Sequence, residues 1–327
     1  LKIVFMGTGE FAVPILEAVQ RAGHLISLVV SQPDRPQGRG LELRKTPVKA
    51  AAEELGLAVF QPEKLRLEPD QVIAVGADAL VVVAYGQILR ENILGCAGFG
   101  AINVHASLLP KYRGAAPIQW AIANGESSTG VTTMQLDRGM DTGPILLQEE
   151  CRIEPDDTTA TLEPRLAARG ARLLVETLEG LARGSISSRP QDDASSTRAP
   201  LIRKSDGLVD FSRPASELVN RLRAFSPWPG AYFTQGERSI KILAARALEG
   251  VRPNPDLRPG TIVSIAREGL DVGCGSLSTL RLERVQPESR RPVSGFDFAN
   301  GAKLSVGGVL GAAALNHKGS GPSETQD

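Results

Sequence analysis

Asn103 and His105 stand two residues apart at the end of the apolar run in "GAINVH". In a strand, side chains two apart share a face, so the amide and the imidazole project together. The amide can donate to an oxygen on which charge develops, and the imidazole can move protons near neutral pH. Asp141 follows in "MDTG", before a Thr-Gly turn between two runs that read as strands. A carboxylate there can orient the imidazole or accept a proton through water. Together three such groups can stabilise an oxyanion and shuttle protons with no metal. Of the chain's three histidines none lies near His105 in sequence, so nothing suggests a zinc site. Taken singly, each has a plainer reading, since a strand-end histidine is often structural and an aspartate before Thr-Gly often serves the turn.

The elements that must hold these groups alternate. "KIVFM", "LISLVV", "LAVF", "ALVVVAYG" and "GAINVH" read as strands, with "GVTTMQL" and "ILLQEECRI" as a later pair. "FAVPILEAVQRAG" reads as a helix stopped at Gly23, and "TPVKAAAEELG" as one capped by Thr46 with Pro47 in its first turn. The stretch "TTATLEPRLAARGARLLVETLEGLARG" reads as a long helix. This alternation predicts an α/β domain with a doubly wound, Rossmann-like parallel sheet over residues 1–183, whose ligands bind beyond the carboxyl ends of the strands. Residues 184–206 are rich in Ser, Pro and Asp and read as a linker. Residues 207–311 carry one helical stretch and then short β-type runs, which predicts a small barrel or sandwich. The polar residues 312–327 read as a disordered tail.

Gly7-Thr8-Gly9-Glu10-Phe11-Ala12 matches the dinucleotide fingerprint and lies between a strand and a helix, as that fingerprint should. The acid that should end the second strand is missing. Asp34 instead opens a Pro- and Arg-rich loop after Ser31-Gln32-Pro33. The glycines therefore leave a nicotinamide-dependent oxidoreductase open as a rival reading without supporting it further.

Across 327 residues the formal charge is zero, but it is uneven. Residues 1–200 hold 20 Lys and Arg against 24 Asp and Glu, whereas residues 201–318 hold 17 against 11. A basic second half suits an anionic partner, and an RNA-binding module is a further reading. Three scattered cysteines give no disulfide framework, and no apolar run reaches the ~18 residues of a membrane span. The chain as read opens with Leu1 and enters a strand at once, so no signal peptide is expected within it. The expectation is a cytoplasmic monomer that binds no membrane.

The run Asn103-Val104-His105-Ala106-Ser107-Leu108-Leu109-Pro110, with "YRGAAPIQWAI" and "TGVTTMQLDRGMDTGPIL" after it, resembles the folate-dependent formyltransferases. The resemblance implies 10-formyltetrahydrofolate as donor, no metal, and transfer of a formyl group to an amine. It makes Asn103, His105 and Asp141 the catalytic residues. It places Ser107, Leu108, Leu109 and Pro110 at the tetrahydrofolate site, with Tyr85, Gly86, Gln87, Ile88 and Leu89 bordering the pterin. Two further segments, "SQPDRPQGRG" with "TPVKAAAEELGLAVFQP", and "APLIRKSDGLVDFSRPASELVNRLRAFSPWPGAYF", resemble the branch acting on initiator methionyl-tRNA in translation initiation. That likeness runs to about residue 310 and implies an OB-like barrel in the second domain. Branches with a ribonucleotide, sugar-nucleotide or water acceptor are the near rivals, and the second domain's sequence argues against them. The branch's loop commonly reads Gly-Lys-Lys after "GRG", where this chain has Leu41-Glu42-Leu43-Arg44-Lys45. Arg39, Arg44 and Lys45 are the expected tRNA contacts, with Phe11 beside the aminoacyl end.

Overall fold

The computed structural model describes residues 1–37, 42–251 and 253–311. It divides into two compact units, one of Leu1–Ala121 with Glu126–Leu201, the other of Ile122–Gly125 with the chain from Ile202 onward.

The first unit holds strands β1 (Lys2–Gly7), β2 (Leu25–Val30), β3 (Arg35–Gln37), β4 (Glu42–Arg44), β5 (Val59–Phe60), β6 (Ala79–Val83), β7 (Ala101–His105), β8 (Ser128–Gln135) and β9 (Ile145–Arg152). Its helices are α1 (Val13–Arg21), α2 (Pro47–Glu54), α3 (Asp70–Ile73), α4 (Glu91–Leu94), α5 (Pro117–Ala123), whose end passes into the second unit, and α6 (Thr159–Arg183). The sheet order is β5-β2-β1-β6-β7-β8-β9. From β5 to β7 neighbours run parallel, while β7–β8 and β8–β9 are antiparallel, so the sheet is mixed rather than all parallel. The connection from β8 to β9 is too short for a crossover, which forces the antiparallel pair. β1 leads to β2 on one side, and the chain later returns to place β6 on the other. The order therefore reverses between β1 and β6, where an open α/β sheet forms its ligand crevice.

β6 and β7 are buried along their whole length, as continuous apolar strands require. α6 starts at a capping box in which the Thr158 and Thr161 side chains each accept from the other's backbone N–H. Gly7 ends β1 where a Cβ would stand 2.9 Å from the Phe5 ring and 3.1 Å from the Val83 carbonyl. Gly9 has extended backbone (φ −86°) and open space around it, so the turn demands only the first glycine of the fingerprint.

At the start of α2, the Thr46 hydroxyl accepts from the Lys49 N–H at 3.2 Å and shares a hydrogen with the Ser31 hydroxyl at 2.6 Å. Thr46→Ala removes the cap and leaves Ser31 buried without that partner. The expected loss is about 1–2 kcal/mol, read from the urea midpoint.

Residues 184–201, read from composition as linker, pack onto the first unit. Arg189 exchanges both backbone hydrogen bonds with Ile145, and Arg113 and Ala199 are joined by a backbone bond of 2.7 Å. Polar composition concealed this because the segment is held by backbone and side-chain hydrogen bonds rather than apolar burial.

The second unit holds α7 (Ala215–Ala224), β10 (Tyr232–Gln235), β11 (Arg238–Leu248), β12 (Ile262–Ala266), β13 (Gly269–Cys274), β14 (Ser278–Pro287), β15 (Val293–Ser294) and α8 (Gly295–Gly301). Its antiparallel sheet runs β10-β11-β14-β13-β12, with β15 added to β14. Among the described residues no pairing joins β10 to β12, so where a barrel was expected the ladder is open. Phe211 and Phe298 pack edge-on against Phe233 in its core. Asp271 and Arg281, opposite each other on β13 and β14, form a bidentate pair at 2.6 and 2.8 Å.

Candidate active site

β7 carries Asn103 and His105 on one face, and both side chains are buried. Asn103 lies opposite Val82 of β6 and Met134 of β8, so its position is set from both sides. His105 closes the strand. Its Nε2 lies 2.9 Å from the Tyr112 carbonyl oxygen, which can only accept, so Nε2 carries the proton. Nδ1 then presents its lone pair toward Asp141, whose Oδ2 is 3.8 Å away. That separation is beyond a direct hydrogen bond and close enough for the carboxylate to balance a charge on the ring.

Asp141 reaches this place by an indirect route. The chain leaves β8 beside the start of β7, where the Leu136 N–H donates to the Ala101 carbonyl at 2.7 Å. The loop then comes back to His105, with Asp141 in the left-handed region at φ 55°, a conformation aspartate tolerates better than most residues. Its Oδ2 accepts from the Gly114 N–H at 2.8 Å. Gly114 has φ 124°, and a Cβ there would stand 2.5 Å from the Ala199 carbonyl oxygen, so no other residue fits. The Tyr112 carbonyl and the Gly114 N–H thus make "YRG" a backbone clamp, one end on the histidine and the other on the aspartate.

A third support comes from the segment read as linker. The Gln191 amide donates to the Asp141 and Gly143 carbonyls at 2.8 and 2.7 Å, while its oxygen accepts from the Arg113 guanidinium. Arg113 also reaches Asp193 at 2.7 Å. Gln191 did not stand out in sequence, and Arg113 did so only inside "YRGAAPIQWAI", because neither does chemistry by itself.

The three groups line a cavity of about 480 Å³, a size suited to a small organic ligand. Tyr85, Gly86, Gln87, Ile88 and Leu89 all line it, as do Phe11 and Glu163. The Tyr85 carbonyl accepts from the Thr8 hydroxyl and the Gln32 amide, which laces together the turns after β1, β2 and β6. Burial pushes the Tyr85 phenol up to about 12. Gln87 ties this loop to residues 62–65 through the Leu65 N–H and the Pro62 and Glu63 carbonyls. Ser107, Leu108, Leu109 and Pro110 do not line the cavity. Ser107 is buried and donates to the Lys111 carbonyl, and Leu109 packs with Met134 and Ile145. Thr132 fixes this stretch by donating to the Ser107 carbonyl and accepting from the Leu109 N–H.

The model of the formyl transferase family matches residues 1–178, and that of the formyl transferase C-terminal domain matches residues 201–303. The chain belongs to the formyl transferase family. The methionyl-tRNA formyltransferase of Koribacter versatilis is 49% identical over 312 residues, which is 94% of this chain and 98% of the relative. That of Solibacter usitatus is 46% identical over 320 residues, 96% of this chain and all of the relative. Among solved structures, the N-formyltransferase from Helicobacter canadensis in complex with folinic acid and dTDP-3-aminofucose shares the fold. Its TM-score is 0.63 at 17% identity, covering 86% of this chain and 98% of its own. HypX from Aquifex aeolicus in complex with tetrahydrofolic acid aligns with TM-score 0.59 at 14% identity, over 91% of this chain and 46% of its own.

In this formyl transferase the fingerprint's spare acid, Asp34, is engaged. Its carboxylate meets Lys49 at 2.6 Å and Gln61 at 2.8 Å. Burial opposes its charge, but these hydrogen bonds hold it below its usual range. The β3–β4 hairpin carries the basic loop, with Arg35 opposite Arg44. Lys45 pairs with Glu53 and Arg35 with Glu63, so part of the loop's charge is balanced by neighbours outside it. Arg44 is exposed and has no ion pair among the described residues. Neither Arg44 nor Lys45 lines the cavity, and Arg39 lies outside the described residues. Among the described residues no helix is long and apolar enough to cross a membrane.

Proposed function

We propose that the chain transfers the formyl group of 10-formyltetrahydrofolate to the α-amine of methionine on initiator tRNA, giving N-formylmethionyl-tRNA for translation initiation. The observation that carries this reading is identity approaching one half, over nearly the whole chain, with proteins named methionyl-tRNA formyltransferase. The folate ligands named for two structures of the same fold support the donor class.

In this reading Asn103 donates its amide to the formyl oxygen as charge builds there. As the amine attacks the formyl carbon, His105, its Nε2–H held on the Tyr112 carbonyl, takes up the amine proton at Nδ1, and the resulting imidazolium is balanced by Asp141 across 3.8 Å. When the intermediate collapses, the carbon–N10 bond breaks and the same proton passes to N10, so tetrahydrofolate leaves neutral at that nitrogen and His105 is restored. The loop Tyr85–Leu89 borders the pterin, and Ser107–Pro110 act as the wall behind it rather than by contact. The second domain, which we read as OB-like, and the loop residues Arg39, Arg44 and Lys45 hold the tRNA through its phosphates, while Phe11 meets its aminoacyl end. We place the enzyme in the cytoplasm as a monomer.

The test is transfer of labelled formyl from 10-formyltetrahydrofolate to methionyl-tRNA, with initiator and elongator tRNA compared. The expected result is transfer to the initiator form with a clear preference over the elongator. Transfer to neither, alongside formylation of a ribonucleotide or sugar-nucleotide amine, would overturn the reading.

A further inference from the structure

Glu163 occupies a position where α6 would ordinarily be apolar. It falls three, four and seven residues before Leu166, Ala167 and Gly170, all buried on the face turned to the sheet. That stripe meets β7 and the turn after β1, since a Cβ on Gly170 would touch Val104, Ile15 and Phe11. Glu163 lines the cavity, as Phe11 does. Its side chain forms no hydrogen bond or ion pair among the described residues. Burial, with the nearby charge of Glu10, raises its carboxyl above the usual range.

The rest of the lining sharpens the anomaly. Asp137, Asp141 and Glu163 line the cavity, and no lysine or arginine does so among the described residues. Asp137 is occupied by the Thr142 hydroxyl and the Gly139 N–H, and Asp141 by the Gly114 N–H. Glu163 alone of the three is left for a guest. A carboxylate kept half-buried without a partner is costly, and a cationic ligand group removes that cost.

We propose that Glu163 is a specificity residue that draws the cationic α-ammonium group of the aminoacyl acceptor into the cavity. This rests on the reading of the acceptor given above. It assigns Glu163 to binding of the acceptor and gives it no part in binding the folate.

The test compares binding of methionyl-tRNA with N-acetylmethionyl-tRNA, which has the same RNA and side chain but no ammonium group. In the wild type, the charged form binds about fivefold tighter, the scale of a partly exposed ion pair. In E163Q that ratio falls toward one, KM for methionyl-tRNA rises about fivefold by the same reasoning, and the affinity for a folate analogue stays put. E163D, which restores the charge, recovers part of the ratio.

Folding is checked separately. A carboxyl whose folded pKa exceeds its unfolded value destabilises the fold above both values and is neutral below them. E163Q should therefore melt at or above the wild type at about pH 8 and level with it at about pH 4. The other titratable groups lining the cavity, Tyr85, His105, Asp137 and Asp141, and the neighbouring Glu10 are common to both proteins. An unchanged binding ratio in an E163Q protein that still formylates methionyl-tRNA would overturn the inference and leave the proposed function standing. Failure of the wild type to formylate methionyl-tRNA would overturn the proposed function itself.

Discussion

His105→Ala lowers kcat for formyl transfer by about 10²–10⁴, the range lost with a positioned proton carrier. Two features of the site set this expectation. The imidazole is buried and held at one nitrogen by the Tyr112 carbonyl, so its ring is oriented before substrate arrives. Its other nitrogen faces the carboxylate that can balance an imidazolium. Alanine removes both the proton carrier and the group that Asp141 is placed to offset. Binding of a folate analogue, followed by calorimetry, should change little, because the Tyr85–Leu89 loop is tied to β1, β2 and residues 62–65 rather than to His105. A kcat within about threefold of wild type would remove His105 from the proton-transfer role.

Asp141→Asn is the second large effect, and it separates charge from architecture. The asparagine oxygen can still accept from the Gly114 N–H, and asparagine also tolerates the left-handed backbone at this position. The loop should therefore keep its shape, with Tm near that of the wild type. What disappears is the negative charge 3.8 Å from His105. An imidazolium formed during transfer then stands in a buried site with nothing to balance it. We expect kcat to fall about 10²-fold, with KM for the folate donor nearly unchanged. A wild-type kcat in this variant would mean that Asp141 serves only to shape the loop.

Much of this site was legible before the fold was known. Period-two spacing placed Asn103 and His105 on one face, and the strand-helix alternation placed the crevice. The turn after β1 looked like a dinucleotide site, yet only Gly7 proves sterically required. What escaped sequence reading shares one physical cause: backbone groups carry no residue signature. The Tyr112 carbonyl that selects the His105 tautomer and the Gly114 N–H that holds Asp141 are invisible in a string of side chains. Only Gly114 left a trace, as the glycine of "YRG". Ser107–Pro110, placed at the folate site by the resemblance, are held by Thr132 through the Ser107 carbonyl and the Leu109 N–H, two more backbone groups that the sequence does not display. The open ladder of the second unit was hidden for another reason. Alternation identifies strands without saying whether the first and last of them meet.

Gln191 has a consequence for the size of the catalytic piece. It buttresses the Asp141 loop from a segment that follows the last helix of the sheet domain, and its neighbours reach back to Arg113 and Ile145. A fragment excised at the end of α6 would contain Asn103, His105 and Asp141 and would lack the Gln191 support of the Asp141 loop. The compact unit that holds these three residues and their supports runs to Leu201. Comparisons of catalytic domains across relatives should be cut there, because a boundary drawn at the loss of regular secondary structure discards part of the machinery.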